Sequence, residues 1–336
     1  MKIFLVKFSL LILLAGAAIA GIRAQFPYDV GNKMYHQKKE YLLDHIEEYN
    51  TVFMGSSRIL RQVDPAIVDE RTGTTQTYNL GTYGTFYPEI WYLTQHLLEE
   101  LDSGDLQYLV IELASINYTI ETNLHTVRGT YFVDDATLDF VERYVSESLA
   151  LEQDREAALV DYPIARWDQW LGAGVLSHFA KPINGYDRNT LGEGRDGFAA
   201  FENPPKYLED SLLEVEFKKM FNRRRNSIHS MLNKVIASKY PPNSAFAEVL
   251  LGLEAKAADK GITLFWVVPP LGLNLEFYSM YDTLGQDRVL SFIDREAYPR
   301  LFRASLWHDP THLNAQGAEL FSKQIGRELK ERLAKE

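Results

Sequence analysis

The sequence predicts an α/β protein: a parallel sheet with helices on both faces, three layers in all, broken by one long, mostly helical insertion. Three observations carry this expectation. Short apolar runs, each closed by glycine, proline or a polar turn, read as buried strands. Stretches with helical spacing lie between them. The segment from Tyr118 to about Ala245 is too long for a single crossover and reads as the insertion.

The elements follow in order. Tyr35 to Tyr49 is polar and reads as a helix. Thr51-Val-Phe-Met54, stopped by Gly55, reads as the first strand. Asp64-Pro65 is an N-cap followed by proline at the first helical position. Thr75 to Leu80 reads as the second strand and runs into the glycine-bearing Asn79 to Gly84. Pro88 opens a helix with Leu93, Leu97 and Leu101 on one face, and Gln107 to Leu113 reads as the third strand. Inside the insertion, Leu138, Val141, Val145 and Leu149 have helical spacing. Leu213, Phe217, Phe221, Ile228, Met231 and Val235 do so along a longer helix, while Asn189 to Pro205 reads as a loop. Phe246, Val249, Leu250, Leu253 and Ala257 mark a helix stopped at Gly261. Ile262 to Val268 is the fourth strand, broken by Pro269-Pro270. The last helix starts near Asn314 and keeps Phe321, Ile325, Leu329 and Leu333 in register.

Composition excludes several functions. The chain has 336 residues, 46% apolar and 24% charged, as expected of a packed domain. A net charge of −11 argues against broad nucleic-acid binding. The absence of cysteine removes thiolate nucleophiles, disulfides and Cys-ligated metals. His36, His45, His96, His125, His178 and His229 are scattered without metal-ligand spacing, so no metal is expected; an organic cofactor is not expected either. Lys218-Lys219 and Arg223-Arg224-Arg225 read as a solvated helix face.

Residues Phe8 to Ile22 carry no charge and follow Lys2 and Lys7. Residues 1–24 therefore read as a buried N-terminal helix or, in the two main readings, as a membrane anchor with Ile3 to Ile22 spanning the bilayer or a signal peptide cleaved after Ala20 or Ala24. Both main readings place residues 25–336 outside the cytoplasm, and no other segment is long and apolar enough to span a bilayer.

In parallel sheets ligands bind at the carboxyl ends of the strands. Ser57 sits there, on the turn after the first strand. Asp309-Pro-Thr-His312 places a carboxylate within reach of an imidazole Nδ1, which would free Nε2 to face a nucleophile. Asn79 to Gly84 offers a backbone N–H to a substrate oxygen. Taken singly, each also reads as plain structure: a polar turn, a helix cap, a glycine turn. Arg58 reads either as a weak anchor for an anionic substrate group or as a partner for Glu112. Tyr83, Phe86 and Tyr87 mark a candidate carbohydrate-stacking groove.

Together, Gly55-Ser56-Ser57, Asn79-x-Gly-x-x-Gly84 and Asp309-x-x-His312 with the following Leu-Asn and Gly317 resemble the blocks of the SGNH, or GDSL-like, hydrolase superfamily. The resemblance covers about half the chain, near residues 50 to 118 and 262 to 330. It implies a flavodoxin-like parallel sheet over residues 25–336, with the helical insertion at about 118–245. Ser57 matches the nucleophile, His312 the general base and Asp309 its orienting carboxylate. The oxyanion hole would use the N–H groups of Ser57 and Gly84 and an asparagine of the third block. That block departs from the family pattern: Asn117 supplies the side chain if the turn holds one extra residue, and otherwise Ile116 takes its place. The anchor, the Gly-Ser-Ser-Arg form and the insertion resemble envelope-facing branches, the DltD-like and AlgJ/AlgX-type proteins. The resemblance implies an extracytoplasmic serine esterase or O-acyltransferase acting on acyl esters, especially acetyl esters, of envelope glycans, within an envelope acylation complex. The alternatives are a catalytically inactive binding component of a polysaccharide-modification complex, and a lipid esterase.

Overall fold

A computed structural model describes residues 1–24, 27–114, 116, 127–148, 152–172, 188–201, 211–238, 241–271 and 280–335. Contacts divide the chain into two compact units, Met1–Lys33 with Tyr118–Ser146 and Ala150–Asn184, and Met34–Asn117 with Glu147–Leu149 and Gly185–Glu336.

In chain order the elements are α1 (Lys2–Arg23), α2 (Lys33–Asp44), β1 (Thr51–Met54), α3 (Ser57–Gln62), α4 (Pro65–Thr72), β2 (Thr77–Asn79), α5 (Glu89–Glu100) and β3 (Tyr108–Glu112). Then come α6 (Val127–Tyr131), α7 (Asp135–Glu147), α8 (Glu152–Trp170), α9 (Arg188–Leu191), α10 (Ser211–Ser238) and α11 (Ser244–Asp259). The chain closes with β4 (Thr263–Val268), α12 (Tyr281–Leu284), β5 (Val289–Ser291) and α13 (Ala315–Leu333).

The second unit holds the sheet. All five strands are parallel, in the order β2-β1-β3-β4-β5. This is a doubly wound order whose direction of winding reverses between β1 and β3, the point at whose carboxyl side such sheets generally bind ligands. Phe53, Val110 and Phe265 stand in register on one face. There they join Phe321, Ile325 and Leu329 of α13 in one buried cluster. Each such side chain contributes about 1.5–3 kcal/mol on burial. Met54, Ile111 and Trp266 line the other face. Thr94 of α5 reaches Met54 Sδ at 3.1 Å, and Trp266 donates to Glu254 of α11 at 2.7 Å.

Within the second unit, α13 joins the last part of the chain to α3 and α4. The Ser322 hydroxyl donates to the Gln62 carbonyl at 3.1 Å and accepts the Asp64 amide at 2.8 Å. Gly326 lets α13 press onto α4: a Cβ there would stand 2.6 Å from Arg71 Cβ. Asp64 caps α4 with Pro65 behind it, as the sequence predicts.

Parts of the fold lie outside the sequence expectation. β5 is a three-residue edge strand. α8 falls in the stretch expected to be mostly helical, although it contains Pro163 and no apolar spacing in the sequence marks its bounds. Within residues 118–245, Tyr118–Ser146 and Ala150–Asn184 fall in the first unit, and Glu147–Leu149 and the residues from Gly185 onward in the second.

Candidate active site

Ser57 begins α3 directly after β1. Ser56 is the N-cap, its Oγ accepting the Arg58 amide at 3.2 Å. The turn is drawn tightly to β3: Glu112, wholly buried, accepts the Ser56 amide on Oε2 at 2.7 Å. Only glycine fits at position 55, where a Cβ would lie 2.5 Å from Glu112 Cβ. Arg58 Nε lies 2.6 Å from Glu112 Oε1, although its N–H is not aligned on that oxygen. Arg58 is thus engaged as an ion-pair partner of Glu112. The first N–H groups of a helix have no intrahelical acceptor, so the Ser57 amide stays available to a bound oxygen.

Ser57 Oγ is 2.8 Å from His312 Nε2, and His312 Nδ1 is 2.8 Å from Asp309 Oδ2. Asp309 Oδ1 accepts the Thr311 amide, the Thr311 hydroxyl and the His312 amide at 2.7, 2.6 and 2.9 Å. Burial would raise the Asp309 carboxyl, but the hydrogen bonds from His312 and Thr311 outweigh it and hold the group far below the usual carboxylate range. A permanent carboxylate favours the His312 tautomer with its proton on Nδ1, which leaves the Nε2 lone pair facing Ser57.

The turn itself is firmly held. Trp307, fully buried, donates to the Leu301 carbonyl at 2.8 Å and pairs with Leu313 in a short antiparallel bridge. Asn314 caps α13 by accepting the Gly317 amide at 3.0 Å. Gln62 reaches across from α3 to the Thr311 carbonyl at 3.3 Å.

A wall of rings stands beside this relay and has no fixed spacing in the sequence. Phe201 stacks on His308 with centroids 3.9 Å apart and meets His312 edge-on at 5.6 Å. The Arg61 guanidinium lies over Phe201 at 4.7 Å and over Tyr83 at 4.9 Å. It also donates to the carbonyls of Ala199 and Ala200 and to the Tyr83 hydroxyl. Burial pushes the His308 imidazole down; Asp309 opposes this, and His312 and Arg61 add to it. Arg224, from the run read as a solvated face, is exposed as a residue, yet partial burial of its guanidinium pushes its pKa down, with Arg58 adding to this and Asp309 opposing it.

Gly84 is exposed with φ of 60° in the turn that carries Tyr83. Asn79 is structural: it donates to the carbonyls of Ile59 and Val63 and accepts the Gly81 amide. Tyr87 is wholly buried, its hydroxyl directed at the Glu112 carbonyl at 3.4 Å, so it belongs to the core and not to a stacking groove. Ile116 is buried and bridged to Tyr87, while Asn117 lies outside the described residues. No cluster of potential metal ligands occurs among the described residues.

The chain matches no protein-family model, and no curated protein is significantly similar to it.

Proposed function

We propose that the protein is a membrane-anchored, envelope-facing serine esterase or O-acyltransferase of the SGNH type. The observation that carries the reading is the unbroken relay Ser57 Oγ, His312 Nε2, His312 Nδ1, Asp309 Oδ2, each link 2.8 Å, beside the carboxyl end of β1. Nucleophile, base and orienting carboxylate need this order of contacts. The anchoring part of the reading rests on the apolar helix Lys2–Gly21, long enough to cross a bilayer.

In this reaction Ser57 Oγ attacks the ester carbonyl carbon while His312 Nε2 takes its proton. The carbonyl oxygen becomes an oxyanion held by the N–H groups of Ser57 and Gly84. His312 returns the proton to the departing alkoxide as the C–O bond breaks, leaving an acyl-serine. A second hydroxyl then attacks the acyl carbon and gives its proton to His312; the acyl bond to Ser57 Oγ breaks, and His312 returns the proton to that oxygen. Water in this role gives hydrolysis; a sugar hydroxyl gives acyl transfer. The preferred substrates are acetyl esters of envelope glycans, bound against the Tyr83, Arg61 and Phe201 wall.

Hydrolysis of nitrophenyl acetate by the full chain in detergent tests this. The acetyl ester should be cleaved faster than a long-chain ester, and Ser57→Ala should abolish turnover. A preference for the long chain would favour a lipid esterase, and no turnover of any ester or transfer to any acceptor would leave a binding component.

A further inference from the structure

We propose that α8 lies flat on the membrane surface, with its outer face inserted between the lipid headgroups. Its inner face is accounted for within the first unit: Ala158, Tyr162 and Ala165 are buried. Gln169 donates to the Tyr131 carbonyl at 2.6 Å, and Arg166 pairs with Asp135 at 2.7 Å. From Leu159 onward the outer face is apolar instead of polar, whereas the first turns of the helix keep Glu152 and Glu156 exposed on it. Leu159, Val160, Ile164, Trp167, Trp170 and Leu171 are 48, 58, 43, 64, 48 and 51% exposed. At about 100° per residue they fall, with Pro163, in one arc of about 140°. From Leu159 onward no charged residue shares that arc; Asp161, Arg166 and Asp168 lie outside it.

A helix of a water-facing unit normally turns its polar side outward. An outward apolar stripe carrying two tryptophans, whose rings meet edge-on at 5.7 Å, matches the composition of helices that sit in the interfacial layer. The same compact unit contains α1, whose span Lys2–Gly21 has mean hydropathy 2.5 and is unburied. Anchoring by α1 brings a lipid surface to this unit, and the inference rests on that anchoring, not on the esterase chemistry. Charge also selects the mode of binding. The helix carries five carboxylates against two arginines, so apolar insertion drives association, and anionic lipid adds nothing.

The chain has no cysteine, so single cysteines report cleanly. Full-length Ile164→Cys, Val160→Cys and Asp161→Cys, each bearing a nitroxide, are reconstituted into phosphatidylcholine vesicles and floated. Nitroxide collision with oxygen and with a water-soluble nickel chelate is then measured. The proposal predicts flotation, with oxygen favoured at 160 and 164 and the chelate favoured at 161, and no change on adding phosphatidylglycerol. Failure to float overturns both the anchor and the proposal. Flotation with 160 and 164 as open to the chelate as 161 retains the anchor and overturns the proposal. Spin–spin broadening between copies at 164, without lipid contact, overturns it in favour of self-association.

Discussion

Lys38 Nζ, wholly buried, donates to the Gly81 carbonyl at 2.7 Å and fastens α2 to the turn between Asn79 and Gly84. A second bond, of 2.8 Å, reaches the Gly197 carbonyl. Burial drives this amine well below its usual range, with Asp196 opposing and Arg61 adding to the effect. Between that lowered value and the ordinary 10.5 the unfolded chain binds the extra proton, so stability rises with pH and the cost of burial fades. The unfolding free energy of the wild type minus that of Lys38→Met is therefore expected to climb from neutral pH toward pH 10.5 in urea titrations. A flat difference would contradict the lowered value.

Glu112 ties the Ser57 turn to β3 through the Ser56 amide and Arg58. Glu112→Leu leaves Arg58, 11% exposed, and a buried amide without their partner. Breaking a buried pair in this way costs about 3–5 kcal/mol. Glu112→Gln keeps an oxygen for the Ser56 amide and should cost clearly less. Denaturation midpoints of the two variants check the order.

Asp309 has a folded-state carboxyl held below its unfolded value. Its contribution to stability is thus complete above the ordinary carboxylate range and is lost as pH falls through the folded value. The stability gap between wild type and Asp309→Asn should shrink under acid. In the proposed reaction the same variant lowers kcat by about 10,000-fold, because His312 loses its orienting charge. An unchanged kcat would remove Asp309 from the mechanism.

Phe201 joins the ring of His308 to the guanidinium of Arg61. An aromatic pair is worth about 0.5–1.5 kcal/mol and a cation–π contact about 0.5–1 kcal/mol. Phe201→Ala should destabilise the protein by about 1–2 kcal/mol and raise KM more than it lowers kcat. Steady-state kinetics on nitrophenyl acetate, alongside thermal melts, separates the two effects.

Local order was the readable part of this chain. Alternation of apolar runs and helical spacing located four of the five strands, and Asp64-Pro65 announced its own helix. Asp309 and His312 were legible because three residues of one turn suffice to join them. β5, only three residues at the sheet edge, carries too little pattern to be seen. Pro163 and the outward apolar face disguised the bounds of α8, since neither fits an ordinary surface helix. Lys38 read as part of a polar helix because its burial comes from Gly81 and Gly197, 43 and 159 residues away. Phe201 gave no signal for the same reason: its partners Arg61 and His308 are joined to it only by the fold.

The most direct measurement is mass-spectrometric mapping of a fluorophosphonate on the folded chain. The hydroxyl that His312 deprotonates should be the one that reacts, so the adduct is expected on the Ser57 peptide, absent from Ser57→Ala and strongly reduced in His312→Ala. An unlabelled wild type, or labelling that survives in Ser57→Ala, would contradict an activated serine at this site.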